Sequence, residues 1–156
     1  MSNILEKIKN LENKYVTIGI HGDKGEQKKL IRLYSYSKKL PKNIKKETIN
    51  PNLTVAQVAN FNEFGRGIPK RSFLRSTLRE KYKDINNIAK IALINKPDNF
   101  FDIIGSYILN QINKKIINGI TPPNSLQTIK RKGSSTPLID TGQLRTALTY
   151  KVSNND

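Results

Sequence analysis

Apolar residues recur along this chain in two rhythms, and the changes of rhythm mark its elements. Ile4, Leu5, Ile8 and Leu11 stand at helical spacing between charged residues, which predicts a short amphipathic N-terminal helix with its stripe on the core. From Tyr15 the period falls to two: Val16, Ile18 and Ile20 share one face and Tyr15 and Thr17 the other, the pattern of a strand. Thr54 followed by Gln57 spells a capping box ahead of Val55, Val58 and Ala59, predicting a helix that stops at Gly65. Beyond Pro69, Ser72 opens a longer helix with Phe73, Leu74, Leu78, Tyr82, Ile85 and Ile88 as core positions. A further strong helix runs from about Asn99 to Asn118, with Phe100, Ile104, Tyr107, Ile108, Ile112 and Ile116 on one face. Gly119 stops it, and Lys114 and Lys115 suit the negative end of its dipole.

The last third is punctuated more densely. After Pro122 and Pro123, Asn124 or Ser125 is placed to cap a short helix through Arg131, with Gly133 as its left-handed terminal residue. Asp140 or Thr141 is placed to cap another brief helix, after which Leu148, Tyr150 and Val152 alternate as a closing strand. Strands near the two ends of the chain pair naturally beneath the long helices. The expected class is therefore α+β: a small antiparallel or mixed sheet of N-terminal and C-terminal strands, packed against two long amphipathic helices plus short ones.

At 156 residues the chain reads as a single domain, 1–156. One segment breaks the pattern. Residues 21–52 are polar and lysine-rich, bounded by Pro41 and Pro51, with an apolar island at Leu30, Ile31, Leu33 and Tyr34. They read as a long loop or an irregular hairpin insertion, a length that in a small domain points to function or disorder. Their lysines, among them Lys28, Lys29, Lys38, Lys39, Lys45 and Lys46, form a candidate basic docking loop.

Charge and chemistry narrow the function. The chain carries 28 basic and 12 acidic residues, a formal net charge of +16, which favours polyanionic partners such as nucleic acid or an acidic protein surface. No apolar run approaches a membrane span and no signal-peptide hydrophobic region is present, so a soluble cytoplasmic protein is expected. Cysteine is absent and His21 is the one histidine, which removes thiolate chemistry and leaves a serine triad or a metal site short of imidazoles. Gly19, Gly22 and Gly25 lack the Gly-Lys-Ser/Thr of a phosphate loop and read as a turn, with His21 exposed beside them. Asp140-Thr141-Gly142 spells the aspartic-protease triplet. Such an enzyme needs two copies facing each other, and the flap and return path that follow the triplet in a retroviral-type domain do not fit into Gln143 to Asp156. A helix start is the simpler reading, with a dimeric protease as the remote alternative. No cofactor site is read.

Two blocks carry more than composition. The first is Val55 to Leu74, VAQVANFNEFGRGIPKRSFL; the second gathers Pro122-Pro123, Thr128, Arg131-Lys132-Gly133, Pro137-Leu138-Ile139-Asp140-Thr141-Gly142 and Leu144. In this order, separated by amphipathic helices, they resemble the virion morphogenesis proteins of tailed phages, the neck and tail-completion group with relatives in Mu-like phages and prophages. The resemblance covers Thr54 to Val152. It departs at Ser72, where a proline often follows the arginine, and in the insertion at 21–52. It implies a non-enzymatic virion subunit at the head-tail junction, assembled in the host cytoplasm as a cyclic homo-oligomer that joins neck, connector or tail-terminator proteins, with DNA possible in the lumen and no membrane. It further implies structural roles for Gly65, Pro69, Phe73, Gly133, Leu138, Asp140, Thr141 and Gly142. Glu63 is placed to pair with Arg71 or with a neighbouring subunit, and Phe64 and Phe73 to anchor the loop on the core. The candidate subunit or partner interface comprises Glu63, Phe64, Arg66, Arg71, Lys130, Arg131 and Lys132. A basic nucleic-acid-binding accessory protein is the alternative.

Overall fold

The computed structural model describes residues 4–34 and 45–155. Its two ends close on each other. Strand β1 (Lys14–Ile20) pairs antiparallel with β4 (Leu148–Asn154), placing Ile20 opposite Leu148, Ile18 opposite Tyr150 and Val16 opposite Val152. The alternation read from the sequence holds: Tyr15 and Thr17 are exposed, and Val16, Ile18 and Ile20 are partly covered. His21 is not the exposed strand-end residue expected. Its ring lies 2.9 Å from Thr17 Oγ1 on one side and 2.9 Å from Thr149 Oγ1 on the other, bridging the two strands. Burial, and then the charge of Lys151, lower its pKa and favour the neutral imidazole.

This sheet packs against the long helix α6 (Phe100–Asn118), whose Ile104, Ile108, Ile112 and Ile116 are buried at a four-residue spacing. Gly105 lets the sheet approach. A methyl group there would sit 2.5 Å from the Tyr150 ring, so the missing side chain is what gives that ring its place, and the Tyr150 hydroxyl donates to Asp102 at 3.3 Å. The α+β class expected from the sequence is thus the observed one, with α6 on the sheet and α5 (Tyr82–Asn95) packed on α6.

Helix α3 (Val55–Phe64) forms as its punctuation dictates. Thr54 Oγ1 accepts from Gln57 N at 3.2 Å, Gln57 Oε1 accepts from Thr54 N at 2.8 Å, and Gly65 ends the helix at φ 76° with its N–H on Phe61 O. A cap of this kind is worth about 1 kcal/mol. In the segment before it, two strands pair among the described residues. After a single turn, α2 (Asp23–Glu26), β2 (Lys28–Tyr34) runs antiparallel to β3 (Lys45–Thr54), with a register shift between Lys28 and Lys29. Lys28 faces Thr54 whereas Lys29 faces Asn50, so Pro51, which has no N–H to give, falls where pairing is interrupted.

Three expectations are corrected. The helix expected from Ser72 begins later and is broken: α4 (Arg75–Glu80) and α5 meet at Lys81, whose φ −98° and ψ 10° leave the helical region. Leu78 and Tyr82, expected in the core, are 41% and 65% exposed. The inward position of α4 is Thr77, and the next residue points about 100° away from it on a helix. Finally, α1 (Ile4–Glu12) rests on β1 and on the 3-10 turn Pro97–Asn99 at the edge of the molecule, so Leu5 stays exposed and Ile8 and Leu11 are only partly covered.

The remaining short helices are α7 (Leu126–Lys132) and α8 (Gln143–Ala147). Val55, Phe73, Ile112 and Ile116 are the largest fully buried side chains, and Leu144, Ala147 and Leu148 join them in one core. Full burial of such aliphatic or aromatic groups is worth about 1.5–3 kcal/mol each. Both sequence blocks are therefore rooted in the same interior.

Candidate functional site

The loop after α3 is organised around a buried carboxylate. Glu63, 3% exposed, accepts from the backbone N–H of Phe73 at 2.8 Å, Leu74 at 2.9 Å and Arg75 at 3.1 Å, and from the Ser72 hydroxyl at 2.6 Å. Arg75 Nε adds an ion pair at 3.1 Å. Burial pushes the Glu63 carboxyl up, but the hydrogen bonds from Ser72, Leu74 and Arg75 outweigh it and hold the pKa below the usual glutamate value. The expected pair with Arg71 is not made, and Glu63 is enclosed within its own chain rather than offered to a neighbouring subunit. The reason is the path of residues 72–75, which turns their donors toward Glu63. Ser72, where the resemblance departs from proline, supplies one of those donors; a proline would have neither hydroxyl nor N–H.

Arg71 faces the other way. It is 9% exposed and donates Nε to Pro122 O at 2.7 Å and Nη2 to Pro123 O at 3.0 Å, while its own N–H is held by Asn62 O at 2.7 Å. One planar guanidinium thus straps the first block to the second. Phe73 anchors the loop as expected, fully buried, but Phe64 does not: it is 47% exposed, with the Arg75 guanidinium 4.2 Å and that of Arg66 5.6 Å from its ring centre. Two guanidinium cations lie over the ring of this half-exposed side chain.

In the second block, Ser125 rather than Asn124 caps α7, accepting from Thr128 N at 3.2 Å, and Gly133 ends it at φ 67°. Asn124 is buried and donates to Ser135 O. Lys130 and Arg131 are exposed in the last turn of α7; Lys132 is partly covered, its Nζ 3.5 Å from Thr136 O. The N-cap position expected at Asp140 or Thr141 is corrected. The residue at the start of α8 is Gly142, at φ 85°, which has no side chain to cap with. Leu138, at φ 64°, takes a backbone conformation costly for a side-chain-bearing residue, so the chain enters α8 through two left-handed residues.

Between these fastenings lies a cleft of about 570 Å³ that both blocks build. Val55 and Val58 of α3, Ile68 and Pro69 of the loop, and Leu138 and Leu144 of the second block supply apolar wall. Asn62, Arg71, Thr128, Arg131, Lys132 and Asp140 supply polar groups. Nothing in the spacing of the sequence marked this enclosure, because its sides are far apart along the chain; the shared core and the Arg71 strap to Pro122, 51 residues on, hold them together.

The docking lysines are dispersed. Lys28 and Lys29 open β2 and Lys45 and Lys46 open β3, whereas Lys38 and Lys39 lie outside the described residues. Among the described residues no three His, Asp or Glu side chains gather as for a metal ion, and no helix is long and apolar enough to cross a membrane. Comparison with protein-family models, curated proteins and solved structures finds no match to this chain.

Proposed function

We propose that this chain is a non-enzymatic structural subunit of a tailed-phage virion, a neck or tail-completion protein at the head-tail junction that assembles as a ring and joins the tail to the head connector. What supports the reading is the strap from Arg71 to Pro122 and Pro123. The residues on which the resemblance rests meet in space and wall one cleft. With Glu63 and Arg71 committed to their own chain, contacts with neighbours or with connector and tail-terminator proteins fall to the exposed Phe64, Arg66, Lys130 and Arg131.

Electron microscopy of particles lacking this protein tests the reading. Full heads beside unattached tails are expected for a joining role, and overlong tails for a terminator; normal particles would sink it. Native mass spectrometry with and without neck partners checks ring formation.

The net charge of +16 favours a second reading, a basic accessory protein that binds nucleic acid without sequence preference. It predicts micromolar or tighter binding to duplex DNA at physiological salt, falling steeply as salt rises. Weak binding at that salt would remove it.

A further inference from the structure

We propose that the cleft between α3 and the second block binds a short acidic segment of a partner protein, which inserts an aliphatic side chain between the apolar walls and sets carboxylates beside the cations that line it.

Size comes first. The cleft, at about 570 Å³, falls in the range of about 300–1,000 Å³ typical of ligand sites.

Chemistry then selects the occupant. The walls made by Val58, Ile68 and Leu138 are aliphatic, and no aromatic ring lines the cleft. A nucleobase held without sequence contacts stacks on an aromatic face, so the walls suit a leucine-like or valine-like side chain better than a base. The lining charges are Arg71, Arg131 and Lys132 against Asp140, three positive to one negative, on a chain of net charge +16. An acidic segment is complementary to such a lining. Arg71, held on the carbonyls of Pro122 and Pro123, adds its charge to the cleft lining, while the exposed Arg131 is the cation that can meet a carboxylate directly.

The test uses the full chain and a fluorescein-labelled peptide of alternating aspartate and leucine, followed by fluorescence anisotropy at physiological salt. The expected result is saturable binding that weakens about tenfold when serine replaces leucine in the peptide, and about tenfold in Arg131→Glu or Ile68→Asp. Lys83→Glu, on α5 outside the cleft, should change it less than about twofold. Amide shifts in the unmutated protein provide a readout independent of the variants, with changes expected at Asn62, Thr128 and Leu138 and none along β1 and β4. Equal binding of the leucine and serine peptides would overturn the proposal by reducing it to general attraction to a basic surface. So would equal losses in Arg131→Glu and Lys83→Glu, or shifts confined elsewhere. An oligothymidylate that displaces the peptide and is itself weakened by Arg131→Glu would reassign the cleft to nucleic acid.

Discussion

The segment 62–75 and the segment 121–145 face each other across one cleft, yet they are held in place by different means. In the first, a single buried carboxylate collects three backbone N–H groups, a hydroxyl and a half-exposed arginine. In the second, the backbone itself carries the shape, through Pro122 and Pro123, the Ser125 cap and the left-handed residues Gly133, Leu138 and Gly142, with Arg71 reaching over to its carbonyls. The first arrangement concentrates stability in one titratable side chain. The second distributes it over stiff backbone and so should resist any one substitution. The difference teaches that neighbouring walls of one site can respond differently to mutation and to pH.

The largest effect should follow Glu63→Ala, which leaves buried N–H groups of the 73–75 turn without an acceptor; a loss of about 3 kcal/mol is expected in denaturant unfolding. The same carboxyl gives the first segment an acid limit. Its folded pKa is lowered, so its contribution is fully present above the ordinary glutamate pKa and is lost as pH falls through the folded value. Glu63→Gln should therefore flatten the acid side of the stability profile, and an unchanged profile would place the acid sensitivity elsewhere. Second in size is Arg71→Ala, at about 2 kcal/mol, with Arg71→Lys recovering only part because an ammonium lacks the planar fork that meets two carbonyls. Loss of peptide binding together with that destabilisation would show that the strap shapes the cleft.

Smaller changes sharpen the contrast. Ser125→Ala removes one cap from the second segment and should cost about 1 kcal/mol, measurable as a lower thermal midpoint. Arg75→Ala should cost no more than about 1 kcal/mol, because its side chain is half exposed and backbone N–H groups still hold Glu63. A loss as large as that of Glu63→Ala would mean that the ion pair, not the amides, organises the first segment.

Much of the fold was legible along the chain. The Thr54 and Gln57 capping box, the stops at Gly65, Gly119 and Gly133, the buried face of α6 and the alternation of β1 all depend on residues within a turn or two of one another. Local rules reach that far. The candidate site was legible only in outline, since the two blocks were visible but their meeting was not. Gly105 was a readable signal, a glycine inside an otherwise helical pattern, whose reason lies in the Tyr150 ring of a distant strand.

What the sequence by itself determined is therefore α3, α6 and α7 with their glycine stops and the alternation of the strands near the two ends of the chain, because helix periodicity, caps and strand alternation are written in neighbouring residues. Tertiary structure alone decided that Glu63 meets Arg75 and not Arg71, that Phe64 faces solvent under two arginines, that Gly142 and not Asp140 or Thr141 begins α8, and that the two blocks enclose a cleft. Each of these turns on where a loop travels in space: for the Arg71 donors, an acceptor 51 residues away at Pro122 wins over the Glu63 carboxylate close by in sequence because it is the one within about 3 Å.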